Sequence, residues 1–450
     1  MSTKIDSIKI DFGFDAAALS KGQKVPVIWD SKKVVNAHAL IVGKSGMGKT
    51  YTLIQMIEQI SKQASQMGRP FRCHIMDVHG DIEINGASVV EFSEATKYGI
   101  NPLLISPDPK FGGVRKRVKS FIAAINRSGT KLGSKQEAAL RNLLTDLFAA
   151  NGFYEGDANS WKLDDGIRRK REKKNPTMED AVRFASAKNK ALLLGTDNKA
   201  ISSIEKVYKK KNQIYKKLKA MNKESDKNEL EGLKADFRKL ADESIELFSE
   251  HLNSLETGTE MTDLLKYDSK DVMKSVVDRL ENINSSGIFD PVAPNFDRYN
   301  PIWRYDIKSL AQDEKKLFVT FMLERIFMGA IQRGVQDEVV EIVVLDEAHL
   351  FLTDEPENPA NMIAKEARKF GLGLFAASQS PDHFSEDFLS NVATKIILGI
   401  DQMFWDGTVR KLKLEQKALE WIIAHKRILV QINNKGETRN KFSWVTKEAR

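Results

Sequence analysis

The segment from Gly43 to Thr50, GKSGMGKT, carries the residue types that bind the phosphates of a nucleotide. It matches the pattern G-x-x-x-x-G-K-[ST] at every fixed position. Glycines let successive backbone N–H groups turn toward phosphate oxygens, and the N-terminus of a following helix adds partial positive charge. In this pattern Lys49 reaches the β- and γ-phosphates, and the hydroxyl of Thr50 binds Mg²⁺. We therefore predict ATP and Mg²⁺ as ligands, and the residues predicted to contact the nucleotide are Gly43, Lys44, Ser45, Gly46, Met47, Gly48, Lys49, Thr50 and Tyr51.

An acidic pair supplies the second chemical signal, in the segment IVVLDEAHLF at residues 342–351. The apolar run predicts a buried strand, and Asp346 and Glu347 follow directly at its end. We expect Asp346 to hold the metal and Glu347 to polarise the attacking water. A solvated acidic pair after a strand is the alternative. Together with the phosphate loop, the pair indicates an NTPase.

The elements that position these residues are predicted from apolar patterning. Residues 39–42 form a buried strand before the phosphate loop, and TLIQMIEQI after it has helical spacing, which disfavours a chance glycine turn. A further apolar strand at 372–378 ends at Gln379, whose side chain can sense the γ-phosphate from beside the acidic strand. The predicted fold class is α/β: a RecA-like P-loop NTPase core with a large all-α insertion.

The letters Asp-Glu-Ala-His also occur in nucleic-acid helicases of superfamily two. Such helicases carry a second RecA-like domain with an arginine-rich Q-x-x-G-R-x-x-R helix. No such string follows Glu347, and the rest of the chain suffices to complete one sheet. The match of Ala348 and His349 to these letters is therefore interpreted as incidental.

Several motifs together resemble the HerA/FtsK superfamily of ring-forming DNA translocases, and most closely the HerA-type ATPases. The resemblance covers residues 25–107 and 295–440. The matching segments are the phosphate loop, the acidic pair, Asp77-Val-His79-Gly80-Asp81, NPIWRYDIKSL (300–310), Glu366-Ala-Arg368-Lys-Phe-Gly-Leu-Gly-Leu, Gln379 and Leu389-Ser-Asn-Val-Ala-Thr-Lys-Ile396. These motifs are specific as a set, whereas each one alone is weak.

The resemblance implies a homohexameric ring in which neighbouring subunits complete each other's sites. Arg368 matches the position of the trans-acting arginine, and a fixed guanidinium offsets the charge that develops in phosphoryl transfer. The alternative is an exposed arginine that pairs with Glu366 or a nearby acid. Asp77 and His79 either organise water near the γ-phosphate or end a strand. The residues predicted to be catalytic are Lys49, Glu347, Arg368 and Gln379.

The N-terminal region departs from the resemblance. HerA-type proteins usually begin with a β-barrel, whereas this region contains two strand-like pieces, SIKIDFGF (7–14) and KVPVIWD (24–30). We expect an extension of the sheet and not a barrel, which leaves docking of a nuclease through a barrel without support. The family often has a basic residue just before the histidine ahead of the phosphate loop, but this chain reads Asn36-Ala37-His38.

The predicted domain limits separate an ATPase core from an insertion. Residues 1–30 form a short β extension, 31–109 and 296–450 form the two parts of the RecA-like core, and 110–295 form a helical insertion domain.

Two neighbouring segments of the insertion have opposite charge. Residues 201–223 contain eight lysines and one glutamate, and residues 229–260 contain nine acids and three basic residues. This favours an antiparallel helical hairpin, with DNA binding by the lysine-rich helix as the alternative. The basic run 168–174 is either a solvated loop or a phosphate-binding segment.

The composition limits the class of protein. The chain has 450 residues, 41% hydrophobic and 29% charged, which is typical of a globular protein, and its net charge of +8 permits an anionic partner. Cys73 is the single cysteine, so no internal disulfide forms. The apolar runs are too short to span a bilayer, and the N-terminus lacks the apolar core of a signal peptide. We expect a cytoplasmic protein without a membrane segment.

Together these observations predict an ATP-dependent double-stranded DNA translocase or helicase of HerA type. The expected assembly is a hexameric ring, with a nuclease or another effector protein as a candidate partner. One alternative is an ATPase that assembles or regulates a partner effector, which the missing barrel and the large insertion favour. A conjugation- or secretion-type motor is the other alternative, although such motors usually carry N-terminal membrane helices.

Overall fold

The computed structural model describes residues 6–163, 173–194, 198–220, 226–254, 266–267, 269–355, 357–437 and 441–447. The chain divides into two compact units. The first contains residues 1–100, 127–129 and 286–450, and the second contains residues 101–126 and 130–285. Most of the predicted insertion of 110–295 thus belongs to the second unit.

The first unit is built on one 11-stranded sheet with the order β2-β1-β11-β10-β9-β3-β8-β7-β4-β6-β5. The strands are β1 Lys9–Asp15, β2 Pro26–Asp30, β3 Ala39–Val42, β4 Arg72–Asp77, β5 Ser88–Glu91, β6 Ile302–Asp306, β7 Glu341–Leu345, β8 Leu372–Ser378, β9 Thr394–Ile397, β10 Arg427–Ile432 and β11 Ser443–Thr446. The seven strands from β9 to β5 in this order are parallel to one another. The α/β class predicted from the sequence is therefore confirmed.

The central parallel strands are apolar because helices cover both faces of such a sheet. All residues of β3 and β8 are buried, and in β7 only Glu341 at the first position is partly exposed. These three strands match the predicted ones, since each apolar run in the sequence has the length of one buried strand.

The remaining strands extend one side of the sheet in antiparallel fashion. β10 pairs with β9 and β11, and β1 pairs with both β11 and β2. Ile10 and Trp29 from β1 and β2 are buried in the core of the sheet. The expected sheet extension at 7–14 and 24–30 is confirmed by this pairing.

The helices of both units follow in chain order. They are α1 Ala16–Leu19, α2 Lys49–Gln66, α3 Val114–Ser128, α4 Ser134–Ala150, α5 Met178–Leu194, α6 Asn198–Ala220, α7 Asp226–Ser254, α8 Lys270–Ser285, α9 Gln312–Arg333, α10 Pro359–Glu366, α11 Glu386–Asn391, α12 Trp405–Leu412 and α13 Gln416–Trp421. Short 3₁₀ helices lie at Ala158–Trp161, Ala348–Leu350, Ala367–Phe370, Pro381–His383 and Gln402–Phe404. Within the described ranges, no helix combines the length and the apolar character needed to cross a bilayer.

The second unit is helical, as its sequence patterning predicts. α4 and α5 pack against α8, and α6 packs along α7. The ammonium of Lys210 on α6 lies 2.8 Å from the carboxylate of Asp236 on α7, so charges of opposite sign face each other across the hairpin. Most of the basic run 168–174 and all of residues 221–225, between α6 and α7 in the sequence, lie outside the described residues.

Candidate nucleotide site

The phosphate loop connects the centre of the sheet to a long helix. β3 ends at Val42, the loop follows, and α2 begins at Lys49. Gly46 and Gly48 have φ values of 78° and 90°, a region that glycine adopts without steric cost. The turn of the loop therefore requires glycine at both positions, and it delivers Lys49 and Thr50 to the first turn of the helix.

The backbone of the loop retains free hydrogen-bond donors. Gly43 donates its N–H to the carbonyl of Ser378 at 3.1 Å, and Lys44 donates to the carbonyl of Gly399 at 2.8 Å. These two bonds anchor the loop to the ends of the neighbouring strands β8 and β9. In the described part of the chain, the N–H groups of Ser45, Gly46 and Gly48 have no acceptor, and such groups at a helix N-terminus bind anions.

The acidic pair lies at the same edge of the sheet as the loop. β8 pairs with β3 on one side and with β7 on the other, so that Val42 lies opposite Ser378 and Leu345 lies opposite Ala376. Asp346 and Glu347 directly follow β7 and are 4% and 8% exposed. Because parallel strands end at a common edge, the phosphate loop, Gln379 and the two carboxylates meet there.

Glu347 has an unusual backbone conformation. Its φ of 51° and ψ of 50° place it in the left-handed region, which costs a non-glycine residue about 1–3 kcal/mol. Such strain accumulates at functional sites because the surrounding structure holds the residue in place. The conformation ends β7 sharply and directs the next residues into the 3₁₀ helix Ala348–Leu350.

Three carboxylates at this edge are suited to a divalent cation. One oxygen each from Asp77, Asp81 and Asp346 lies within 4.8 Å of the others. Burial, followed by the charge of Glu347 and then that of Asp81, raises the pKa of Asp346 to about 6. A cation would relieve this repulsion, and oxygen ligands are those that Mg²⁺ prefers. The donor set therefore fits Mg²⁺, with Thr50 and Asp346 as the ligands predicted from sequence.

The carboxylate of Glu347 contacts a histidine that the sequence interpretation set aside. Nδ1 of His349 lies 3.2 Å from Oε2 of Glu347, a buried atom with no geometrically well-formed hydrogen bond among the described residues. The hydrogen bond from His349 lowers the pKa of Glu347 against the opposing effect of burial, and the charge of Lys49 lowers it further. His349 therefore lies against the predicted base, a contact that the sequence did not indicate.

The same histidine connects Glu347 to the end of β8. Oγ of Ser378 lies 3.5 Å from Nδ1 of His349 and 2.9 Å from Nδ1 of His383, and the centroids of the two imidazole rings are 4.8 Å apart. Sequence reasoning missed His383. A usable signal was the polar run Ser378-Gln379-Ser380 at the end of an apolar strand, followed closely by a histidine.

Asp77 and His79 occupy different environments. The Asp77 carboxylate is fully buried and accepts hydrogen bonds from the N–H groups of Gly80 at 2.7 Å and Ile82 at 3.1 Å. It also lies 3.0 Å from Nε of Arg304. These contacts support the strand-ending interpretation of Asp77. His79 is largely exposed, with Nε2 4.0 Å from Oε1 of Glu347, which favours the water-organising interpretation.

Gln379 and Arg368 lie at opposite ends of β8. Gln379 follows the last residue of the strand and is exposed between the loop and the acidic pair. Arg368 lies in the 3₁₀ helix Ala367–Phe370, before the strand begins. Its side chain is exposed and, among the described residues, has no ion pair with Glu366 or another acid. The structure therefore separates Arg368 from the acidic pair of its own subunit.

A family model described as "Helicase HerA, central domain" matches residues 17–326. A probable helicase of Methanocaldococcus jannaschii is 39% identical over 106 residues, which cover 21% of this chain and 20% of that protein. The DNA double-strand break repair helicase HerA of Pyrococcus furiosus is 48% identical over 63 residues, covering 13% of this chain and 11% of that protein. The matched segments thus span a fifth or less of the length of these curated relatives.

Among solved structures, VirB4 of Thermoanaerobacter pseudethanolicus has a similar fold. The two chains superpose with a TM-score of 0.61 at 14% identity, over 100% of this chain and 99% of that one. At this identity the likeness concerns the fold alone. The family and the fold are those of P-loop ATPases, as the phosphate loop and the acidic pair predict.

Proposed function

Since this chain belongs to the family of the HerA helicase central domain, we propose that it is an ATP-driven double-stranded DNA translocase that works as a homohexameric ring. The position of Arg368 is the observation that carries this proposal. Its guanidinium is exposed, has no ion pair within the described ranges, and lies at the sheet edge opposite to Asp346 and Glu347. An arginine placed there is available to the site of a neighbouring subunit and not to its own.

The nucleotide binds with its phosphates in the loop 43–50. The free N–H groups of the loop and the ammonium of Lys49 hold the phosphate oxygens, and the helix N-terminus of α2 adds to the positive potential. When Mg²⁺ is bound, by Thr50 and Asp346, it offsets negative charge on the phosphates. The position of Lys49 is secured by the glycine turn before it.

Glu347 acts as the base that orients the attacking water. Its lowered pKa keeps the carboxylate ionised near neutral pH, so that it accepts a hydrogen bond from the water. His349 contacts Oε2 of Glu347, and the other carboxylate oxygen, Oε1, lies on the side of His79. Gln379 lies where loss of the γ-phosphate is sensed, and its strand continues into the segment around His383.

The arginine of one subunit completes the site of the next. A guanidinium beside the γ-phosphate stabilises the charge that develops during transfer, and such arginines contribute about 10³–10⁵ in rate. ATP binding would hold two subunits together at this contact, and hydrolysis would loosen it. Repetition of the contact around a closed ring couples hydrolysis to movement along DNA.

Duplex DNA is proposed as the polymer along which the protein moves, because the chain is basic and its relatives are helicases. The chain carries a net charge of +8, and sequence-independent DNA binding arises from neutralised phosphates. The relatives are helicases by name, one of them in DNA double-strand break repair. No base-specific contact is required for a motor that moves along any sequence.

The test combines hydrolysis and particle size. ATPase activity is measured with and without long duplex DNA over a salt series, and light scattering in the same buffers gives the mass of the particle. We expect a hexamer whose ATPase is stimulated by DNA, with a stimulation that falls steeply as salt rises. A strictly monomeric protein that hydrolyses ATP at full rate would contradict the proposal.

The second candidate is an ATPase that assembles or regulates a partner effector. The helical unit at 101–126 and 130–285 favours it, because it provides a large surface outside the sheet. In this case ATPase activity is indifferent to duplex DNA and rises with a nuclease or another effector that copurifies. The same assay therefore separates the two candidates.

A further inference from the structure

Three side chains from distant parts of the chain meet beside the phosphate loop. β10 is antiparallel to β9, so its first residue, Arg427, lies at the sheet edge where β3 ends and the loop begins. His425 lies in the turn just before that strand. A Cβ atom placed on Gly48 would be 2.8 Å from Cε1 of His425, which shows that the imidazole packs directly on the loop.

Tyr51 lies next to this histidine. It is in the first turn of α2, directly after Lys49 and Thr50, and its side chain is 51% exposed. The ring centroids of Tyr51 and His425 are 6.0 Å apart with an interplanar angle of 75°, an edge-to-face pair. The ammonium of Lys447, which follows β11, lies 5.6 Å from the centroid of the Tyr51 ring.

The backbone of His425 is held in a costly conformation. Its φ of 60° lies in the left-handed region, which it shares with two other non-glycine residues of the described chain, Glu347 and Lys413. The turn is closed by a hydrogen bond from the N–H of Arg427 to the carbonyl of Ile423 at 2.9 Å. Backbone strain of this kind persists where the surrounding structure holds the residue in place, and it clusters at functional sites, as at Glu347.

We infer that Tyr51 and His425 form the subsite for the base of a purine nucleotide, with Lys447 at its border. Because Lys49 and Thr50 hold the terminal phosphates and the metal, the next residue of the helix, Tyr51, lies toward the other end of the nucleotide. Two exposed rings offer a surface on which a purine stacks. This inference rests on the proposed ATPase function, and it adds a residue, His425, that no sequence motif indicates.

The test compares a ligand that has a base with one that has none. Calorimetry measures the dissociation constants of ATP and of inorganic tripolyphosphate in the presence of Mg²⁺, for the full chain and for its variants Tyr51→Ala and His425→Asn. Stacking on an aromatic side chain contributes about 5–150-fold in affinity. We expect ATP to bind about tenfold more weakly to each variant and tripolyphosphate to bind equally well.

The substitutions are chosen so that the loop keeps its shape. Asparagine adopts the left-handed conformation more readily than alanine, so His425→Asn removes the ring without adding strain. Tyr51→Phe is the matched control, since it keeps the ring and is expected to bind ATP as the wild-type chain does. Equal thermal midpoints of the variants confirm that they are folded.

Two results would overturn the base subsite. In the first, the ratio of the two dissociation constants is the same in Tyr51→Ala and His425→Asn as in the wild type. In the second, ATP and tripolyphosphate weaken together, which means that the rings only support the loop. Failure of the proposed ATPase function gives a different result. In that case the wild type binds neither ligand, or Lys49→Ala binds ATP as tightly as the wild type does.

Discussion

The two edges of the parallel sheet carry different chemistry. At the carboxyl ends of β3, β8 and β7 lie the phosphate loop, Gln379 and the acidic pair. At the amino ends of β3 and β8 lie His38 and Arg368. The first edge brings together the side chains that are proposed to act on one nucleotide. The second edge holds a buried histidine and an exposed arginine, both at the opposite ends of these strands from the acidic pair.

The difference supports the proposal that a second subunit completes the nucleotide site. β8 has seven residues, and a strand of that length separates its two edges by roughly 20 Å. The carbonyl of Lys369, next to Arg368, accepts a hydrogen bond from the N–H of Gln336, which precedes β7, so this segment is fixed at the amino edge. A cation held there lies away from the acidic pair of its own chain, as the proposed action between subunits requires.

The largest effect on kcat is expected from removal of the Arg368 side chain. Arg368→Ala is expected to lower kcat about 10³–10⁵-fold, because the developing charge on the γ-phosphate loses its cation. Lys369→Ala is the matched control, since this neighbouring residue is also exposed and basic and is expected to leave kcat unchanged. Steady-state ATP hydrolysis at saturating ATP measures both.

Mixing two inactive variants tests on which subunit the arginine acts. Arg368→Ala keeps its own Glu347, and Glu347→Gln keeps an arginine for its neighbour, so mixed rings contain some complete sites. We expect partial recovery of ATPase activity in the mixture. If the mixture stays as inactive as its components while forming rings, the arginine does not act between subunits.

At the carboxyl edge, Glu347→Gln is expected to lower kcat about 10²–10⁴-fold with little change in ATP affinity. The amide cannot accept the proton of the attacking water, whereas the phosphate contacts of the loop remain. Single-turnover hydrolysis and ATP binding are measured side by side, with Glu366→Gln as the control for an exposed acid. Undiminished turnover in Glu347→Gln would remove the assigned base.

A smaller effect is expected from His349, which lies against Glu347 and is expected to position it. His349→Ala should lower kcat about 10–100-fold, the range found for groups that orient functional residues, and leave ATP affinity unchanged. His349→Asn places an amide donor near the former Nδ1 and should recover most of the rate. A rate in His349→Asn as low as in His349→Ala would assign the effect to packing of the ring.

At the amino edge, the pH dependence of stability tests the role of His38. The effect expected here is the smallest of the series. His38 is fully buried, its Nδ1 accepts a hydrogen bond from the N–H of Leu374 at 3.1 Å, and burial lowers its pKa from 6.5 to about 4. The unfolded chain therefore binds a proton that the folded chain does not between these two values. Stability is complete above pH 6.5 and decreases as pH falls toward 4, by up to about 3 kcal/mol.

The variant His38→Asn isolates this contribution. Its Oδ1 can accept the hydrogen bond of Leu374 but does not titrate, so the loss of stability between pH 6.5 and pH 4 should be smaller than in the wild type. Urea unfolding midpoints at several pH values measure the difference. Parallel pH profiles for the two proteins would show that His38 does not titrate in this range.

Local patterns were sufficient to predict the central elements. The runs at 39–42 and 372–378 form the predicted strands, and the segment after the phosphate loop forms the predicted helix. Each pattern is contained within a few residues, so backbone geometry and apolar spacing determine it directly. The pairing of 7–14 and 24–30 at the edge of the sheet was also predictable, because two short strands are too few for a barrel.

Contacts between distant segments could not be predicted in this way. The neighbours of His349 in the sequence carry no signal for its contact with Ser378, which depends on β7 and β8 lying side by side. His425 is separated from Gly48 by most of the chain, and only the antiparallel return of β10 brings the two together.

The sequence by itself determined the phosphate loop, the acidic pair and the strands that end in them, because these features depend on local spacing and conformation. Only the tertiary structure decided that Arg368 lies at the edge of the sheet away from its own acidic pair, and that His349 and His425 approach the nucleotide site. The physical reason is strand order. Pairing between segments far apart in the chain sets which side chains share an edge, and no short pattern encodes that order.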